Sequence, residues 1–170
     1  MSDTETSETP FWRFSLKFYR EHNVSEACIA LQDEFGVDVN LLLFLLWLAS
    51  DDRQLSADEV QMLDDNVRDW RNLTIVPIRD TRRKLKGVET LVAPAKQEAF
   101  RNKVKAIELD AERLQQEALY EFTKSGPLGT PTSAVKAAQA NIAAYQDALG
   151  VGFPKSATDI LLGAFAKAIQ

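Results

Sequence analysis

Apolar residues recur at spacings of three and four along most of the chain. Six of its seven glycines (Gly36, Gly87, Gly126, Gly129, Gly150 and Gly152) fall between the stretches that carry this period, where helix ends favour left-handed backbone. The pattern predicts an all-α protein. Thr9 and Pro10 read as an N-cap and first helical position, opening a helix to about His22 with Phe11, Trp12, Phe14 and Phe18 along it. Ser25 can cap a second helix, whose apolar face of Val24, Cys28, Leu31 and Phe35 stops at Gly36. Asp38 can cap the third. That segment, VNLLLFLLWLAS, is apolar all round, which predicts a helix enclosed by others at the centre of an N-terminal helical block.

Ser56 with Glu59 three residues later forms a capping box for a fourth helix, with Val60, Leu63, Val67 and Trp70 directed inward. The stretch Leu73 to Ile78 is β-branched and interrupted by Pro77, so it reads as a break or kink, after which Pro77 opens a helix to Gly87. From Pro94 to Lys124 runs the longest periodic stretch, with Phe100, Val104, Ile107, Ala111, Leu114 and Ala118 forming a coiled-coil-like seam. Such a helix is roughly 45 Å long, more than a compact domain of this size needs, so it is expected to project or to pack on another helix. Val135, Ala138, Ile142, Tyr145 and Leu149 repeat the spacing and offer it an antiparallel hairpin partner, and a short last helix begins near Ser156. The expected organisation is a flexible tail over 1–9, a helical block over 10–92, and the long, return and C-terminal helices over 93–170, in one continuous domain.

Composition narrows the function. A net charge of −5 argues against general affinity for nucleic acid, and RRKLK is only a local basic patch. The longest apolar run, Leu41 to Ala49, is about half the ~20 residues of a membrane span, and the polar N-terminus does not read as a secretory signal, so a cytoplasmic protein without a membrane partner is expected. One cysteine, Cys28, and one histidine, His22, exclude an internal disulfide and the usual zinc ligand sets, and no cofactor is indicated. Glycine-rich phosphate loops, GxSxG, HExxH and CxxC are all absent from the sequence. Cys28 falls on a core face as a small hydrophobe. His22 complements a helix end.

The polar residues that stand out lie among apolar ones. On a wheel of 100° per residue, Arg82 falls between Ile75, Ile78 and Leu85, with Arg79, Arg83 and Lys86 following around the flank. A guanidinium so placed needs a carboxylate or an anionic ligand, because an unpaired buried charge costs several kcal/mol. One reading is a structural ion pair, with Asp33 of the second helix the favoured acid. The other is an anion site of Arg79, Arg82, Arg83 and Lys86 with Asp33 and Tyr19, able to hold a phosphate or carboxylate. Gln32, Asp38 and Asn40 form a polar cluster around the start of the buried helix, where Asp38 is explained by capping. No nucleophile or histidine is placed to help these carboxylates, so catalysis is not expected from them.

The stretches FWRFSLKFYREHNVSEACIALQDEFGVDVNLLLFLLWLA and VPIRDTRRKLKG resemble an uncharacterised family of small bacterial proteins, a conserved domain of unknown function. The resemblance covers Phe11 to Ser125 and is strongest over its first forty residues. It implies a bacterial origin and an N-terminal helical block joined to an arginine-bearing helix, and it brings no activity or ligand with it. Two readings of function follow. The first is a non-catalytic interaction or adaptor module, whose long helical arm docks a protein partner or a second copy. The second is a binding protein or enzyme for a small anionic metabolite held by the arginines.

Overall fold

The computed structural model describes residues 8–170, so the expected tail over 1–9 lies outside the described residues except for Glu8 and Thr9. The elements are α1 (Pro10–Tyr19), α2 (Val24–Phe35), α3 (Val39–Ser50), β1 (Arg53–Gln54), α4 (Ala57–Trp70), a π-helical turn (Arg71–Ile75), α5 (Val76–Lys84), α6 (Pro94–Glu121), a 3-10 turn (Phe122–Ser125), β2 (Thr130–Pro131), α7 (Ala134–Leu149) and α8 (Lys155–Ala168). The fold is all-α. Its one described sheet is a two-residue antiparallel pairing of β1 with β2. Two compact units are present: one runs to Asp64 and resumes over Gln116–Gln170, and the other is Asp65–Gln115. Their boundaries fall inside α4 and α6.

In the first unit the helix starts follow local chemistry. The Thr9 hydroxyl accepts from the Trp12 amide at 3.0 Å with Pro10 at the first helical position, and the Asp38 carboxylate accepts from the Leu41 amide at 3.2 Å. Ser56 and Glu59 close the capping box reciprocally at 2.8 and 3.2 Å. Ser25, expected to cap α2, is already inside it and donates to Glu26; the cap position is Asn23, whose φ of 62° is left-handed backbone that asparagine tolerates. Helix α1 ends at Tyr19, three residues before His22, which is exposed in the following turn.

Helix α3 lies at the centre of this unit, with residues from Asn40 to Ala49 buried on every side except at Trp47, which is half-buried. It packs most extensively on α7, and α1, α2 and β1 also lie against it. Helix α8 closes over α2 and α7. An aromatic cluster fills one end, with Phe11 5.1 Å from Phe44, and Trp47 within 6 Å of the Phe11, Phe44 and Tyr120 rings. Helix α7 applies its buried face to α3.

Two polar side chains of α7 reach through that contact. Asn141 is fully buried and satisfied in full: its carbonyl accepts from the Leu55 amide at 2.7 Å, and its amide donates to Leu45 and Arg53 carbonyls at 2.9 and 3.0 Å. It joins the interior of α3 to the strand β1 and to Leu55 just after it. The fully buried Tyr145 hydroxyl accepts from the Asp38 amide at 2.8 Å, just before α3 begins. Across the sheet, Gly129 has φ 67°, and a Cβ on it would lie 2.3 Å from the Gln54 carbonyl oxygen, so only glycine fits there.

In the second unit, Pro77 does not break the chain's helix. Lacking an N–H, it cannot bond the Leu73 carbonyl in an α ladder, and the backbone widens instead into the π turn, where the Val76 amide reaches back five residues to the Arg71 carbonyl. Helix α5 continues from it. Of the α4 residues expected inward, Val67 is buried but Trp70 is 39% exposed, its indole N–H donating to the Ala111 carbonyl of α6 at 2.9 Å.

Replacing Asn141 with alanine removes the partner of the Arg53 carbonyl and the Leu55 amide in the core and is expected to cost on the order of 3 kcal/mol in urea denaturation, whereas Tyr145→Phe, losing one hydrogen bond, should cost about 1 kcal/mol. Equal midpoints for Asn141→Ala and the parent would remove Asn141 from its central role.

Candidate functional site

The arginines singled out by the wheel sit in the second unit, on α5, with Lys86 in the turn after it. Arg79 donates through Nε to Glu108 Oε1 at 3.1 Å and through Nη2 to Glu112 Oε1 at 3.0 Å. Arg82 meets both oxygens of the same Glu108, at Oε2 through Nε and at Oε1 through Nη2 at 3.2 Å. The Arg79 and Arg82 side chains are 15% and 20% exposed and that of Glu108 only 8%. Arg82 is thus directed inward, as the wheel required. Arg83 and Lys86 are exposed.

Burial alone would raise the Glu108 carboxyl, yet the hydrogen bonds and charges of Arg82 and Arg79 outweigh it and hold this group below the ordinary carboxylate range. Glu108 was not anticipated. It could have been found, since it falls between Val104 and Ala111 on the covered side of α6, and Glu112 follows one turn later, matching arginines three apart on the facing helix. The C-terminal carbonyls of α5 are also served from α6: Arg101 Nε donates to the Arg82 carbonyl at 3.1 Å, and Gln97 Nε2 donates to those of Leu85 and Val88 at 3.1 and 2.8 Å.

The other candidates lie in the first unit. Tyr19 is half-buried at the end of α1, and Asp33 is exposed on α2, where it accepts from Gln32 at 3.4 Å. Asp38 and Asn40 are buried, Asp38 as the α3 cap and Asn40 as acceptor from Gln116 at 2.9 Å. Burial pushes the Cys28 thiol up to about 12, so it stays protonated and inert at neutral pH. Among the described residues no group of three or more His, Cys, Asp or Glu side chains is placed to hold a metal ion, and no helix is long and apolar enough to cross a membrane. A cleft of about 310 Å³ between α2 and α8, lined by Ala27, Leu31, Phe35 and Ile160, carries a carboxylate, Glu34, and no cation.

The predicted apolar seam of α6 divides in two. Val104 and Ala111 are buried together with Glu108 and Gln115, whereas Phe100, Ile107 and Leu114 are 57%, 54% and 53% exposed. These three are seven residues apart and so lie in one line along the helix. The chain covers a side of its longest helix that mixes apolar and polar residues and leaves an apolar line open. On the other helix of this unit and in the loop after it, Leu73, Val76, Val88, Leu91 and Val92 are exposed as well.

Because the native Glu108 carboxyl ionises more readily than in the unfolded chain, the stability it contributes is present above the ordinary carboxylate range and is lost as pH falls through its lowered native value. Glu108→Gln should therefore flatten the acid limb of a stability-against-pH profile. At neutral pH, Arg82→Ala should cost on the order of 3 kcal/mol, and Lys86→Ala, on the exposed flank, under about 0.5 kcal/mol. An unchanged acid limb in Glu108→Gln would show that the pairing does not contribute to folding.

A family model described as "Protein of unknown function (DUF2390)" matches residues 10–119. No curated protein and no solved structure matches the chain.

Proposed function

From the premise that the chain belongs to this family of proteins of unknown function, we propose that it is a non-catalytic bacterial interaction module of the cytoplasm that docks a protein through the open face of α6. One observation carries this reading. On a helix of 28 residues, the aligned Phe100, Ile107 and Leu114 are each more than half exposed, while a carboxylate occupies the covered side. Scattered exposed apolar residues are ordinary on protein surfaces. Three in register at heptad spacing are the pattern by which one helix receives another.

The alternative, an anion pocket built on Arg79 and Arg82, requires a ligand to displace Glu108 and Glu112 from guanidinium groups that already hold them. Removing one partner of a buried pair costs on the order of 3–5 kcal/mol, a penalty that any incoming phosphate or carboxylate must recover first. The α2–α8 cleft, with its single carboxylate, does not suit an anion.

The test compares two baits expressed at the natural level, the parent chain and a Phe100→Ala, Ile107→Ala, Leu114→Ala variant. Because the three side chains are exposed, the variant should keep the parent's melting temperature within a few degrees. Proteins recovered by the parent and lost with the variant are the expected result; identical recoveries from a folded variant would refute docking through this face.

A further inference from the structure

We infer that the occupant of the α6 face is a second copy of this chain, lying antiparallel along the line of Phe100, Ile107 and Leu114 about a twofold axis beside Ile107. The inference rests on the docking reading above and names its partner. Its ground is the order of charges. Lys96, Lys103 and Asp110 are exposed and also seven apart, on the flank of the apolar line: Lys103 and Asp110 each follow one of its members by three residues, about 60° around the helix.

A parallel pairing of two such helices carries the Lys103 and Asp110 flank of each copy to opposite sides of the interface, where their charges do not meet. An antiparallel pairing centred on Ile107 instead sets each Phe100 against the other copy's Leu114. It also brings each Lys103 to within one residue of the level of the opposite Asp110, on the same side of the interface. The opposite charges then meet twice, and the helix dipoles run in opposition. A surface that complements itself under a twofold rotation is what an isologous dimer requires, and an unrelated partner has no need of it.

Size sets the strength. The line from Phe100 to Leu114 is about 21 Å long and, at roughly 10 Å wide, offers some 200 Å² per copy, about a quarter of what a standard stable interface buries on each side. The dimer should therefore be weak and concentration-dependent, forming toward the upper micromolar range.

Sedimentation equilibrium of the full chain from about 5 to 500 µM should show a monomer–dimer equilibrium that Ile107→Glu abolishes without changing helicity. Lys103→Glu should weaken it roughly tenfold, and the swap Lys103→Glu with Asp110→Lys should restore it. Geometry is read separately by oxidation of single cysteine variants, with the native Cys28 too buried to compete. Ile107→Cys, beside the axis, should cross-link to itself, whereas Phe100→Cys and Leu114→Cys should cross-link only when mixed. A monomer at every concentration overturns the inference, and so does a dimer in which Phe100→Cys cross-links to itself as readily as Ile107→Cys. If the chain is monomeric while the bait comparison still yields proteins lost with the triple variant, the docking reading stands and only the identity of the partner falls.

Discussion

Helix α3 presents no polar side, and a helix of that kind is stable in water only when something covers its whole circumference. That requirement organises the first unit. Helices α1 and α2 approach from earlier in the chain, but the largest share of the covering comes from α7, almost a hundred residues later. Enclosure leaves backbone groups along and after β1 to be satisfied, and Asn141 meets the Arg53 carbonyl and the Leu55 amide there while also donating to the Leu45 carbonyl within α3. The match to the family ends at residue 119, so the helix that supplies Asn141 and Tyr145 lies beyond the matched segment.

The second unit is organised by charge where the first is organised by apolar contact. Glu108 is enclosed only because Arg79 and Arg82 meet both of its oxygens, and Glu112 occupies what remains of Arg79. Committing the covered side of α6 to that network turns the heptad line of Phe100, Ile107 and Leu114 outward. The buried carboxylate and the open apolar face are thus two results of one helix orientation, and the functional reading depends on both.

Sequence patterns were most informative where a single local cause decides the structure. The caps at Thr9, Asp38 and Ser56, the stop at Gly36 and the enclosure of α3 each depend on a few adjacent residues, and each is present. The inward turn of Arg82 was legible for the same reason. Less was legible where two patterns compete for one helix. On α6 the apolar period suggested a seam along Phe100 and Ile107, but polar residues on the facing helix decide which side is covered, and a single-helix wheel does not contain them. The choice of α3 as the main partner of α7 likewise depends on the enclosure of α3, which the α7 period does not express. Asn23 as the α2 cap position was missed because Ser25 has the commoner capping chemistry while asparagine accepts the left-handed φ.

The π turn at Arg71–Ile75 spans one residue more than an α turn. Every side chain from Val76 onward is consequently rotated by about 100° from where an unbroken α-helix begun at Ala57 would carry it. Arg79 and Arg82 meet Glu108 in that rotated frame alone. Shortening the turn by a single position would leave every charged residue in place in the sequence and swing both guanidinium groups away from their carboxylates. The number of residues in this turn therefore matters to the ion pairing as much as the identity of the ions does.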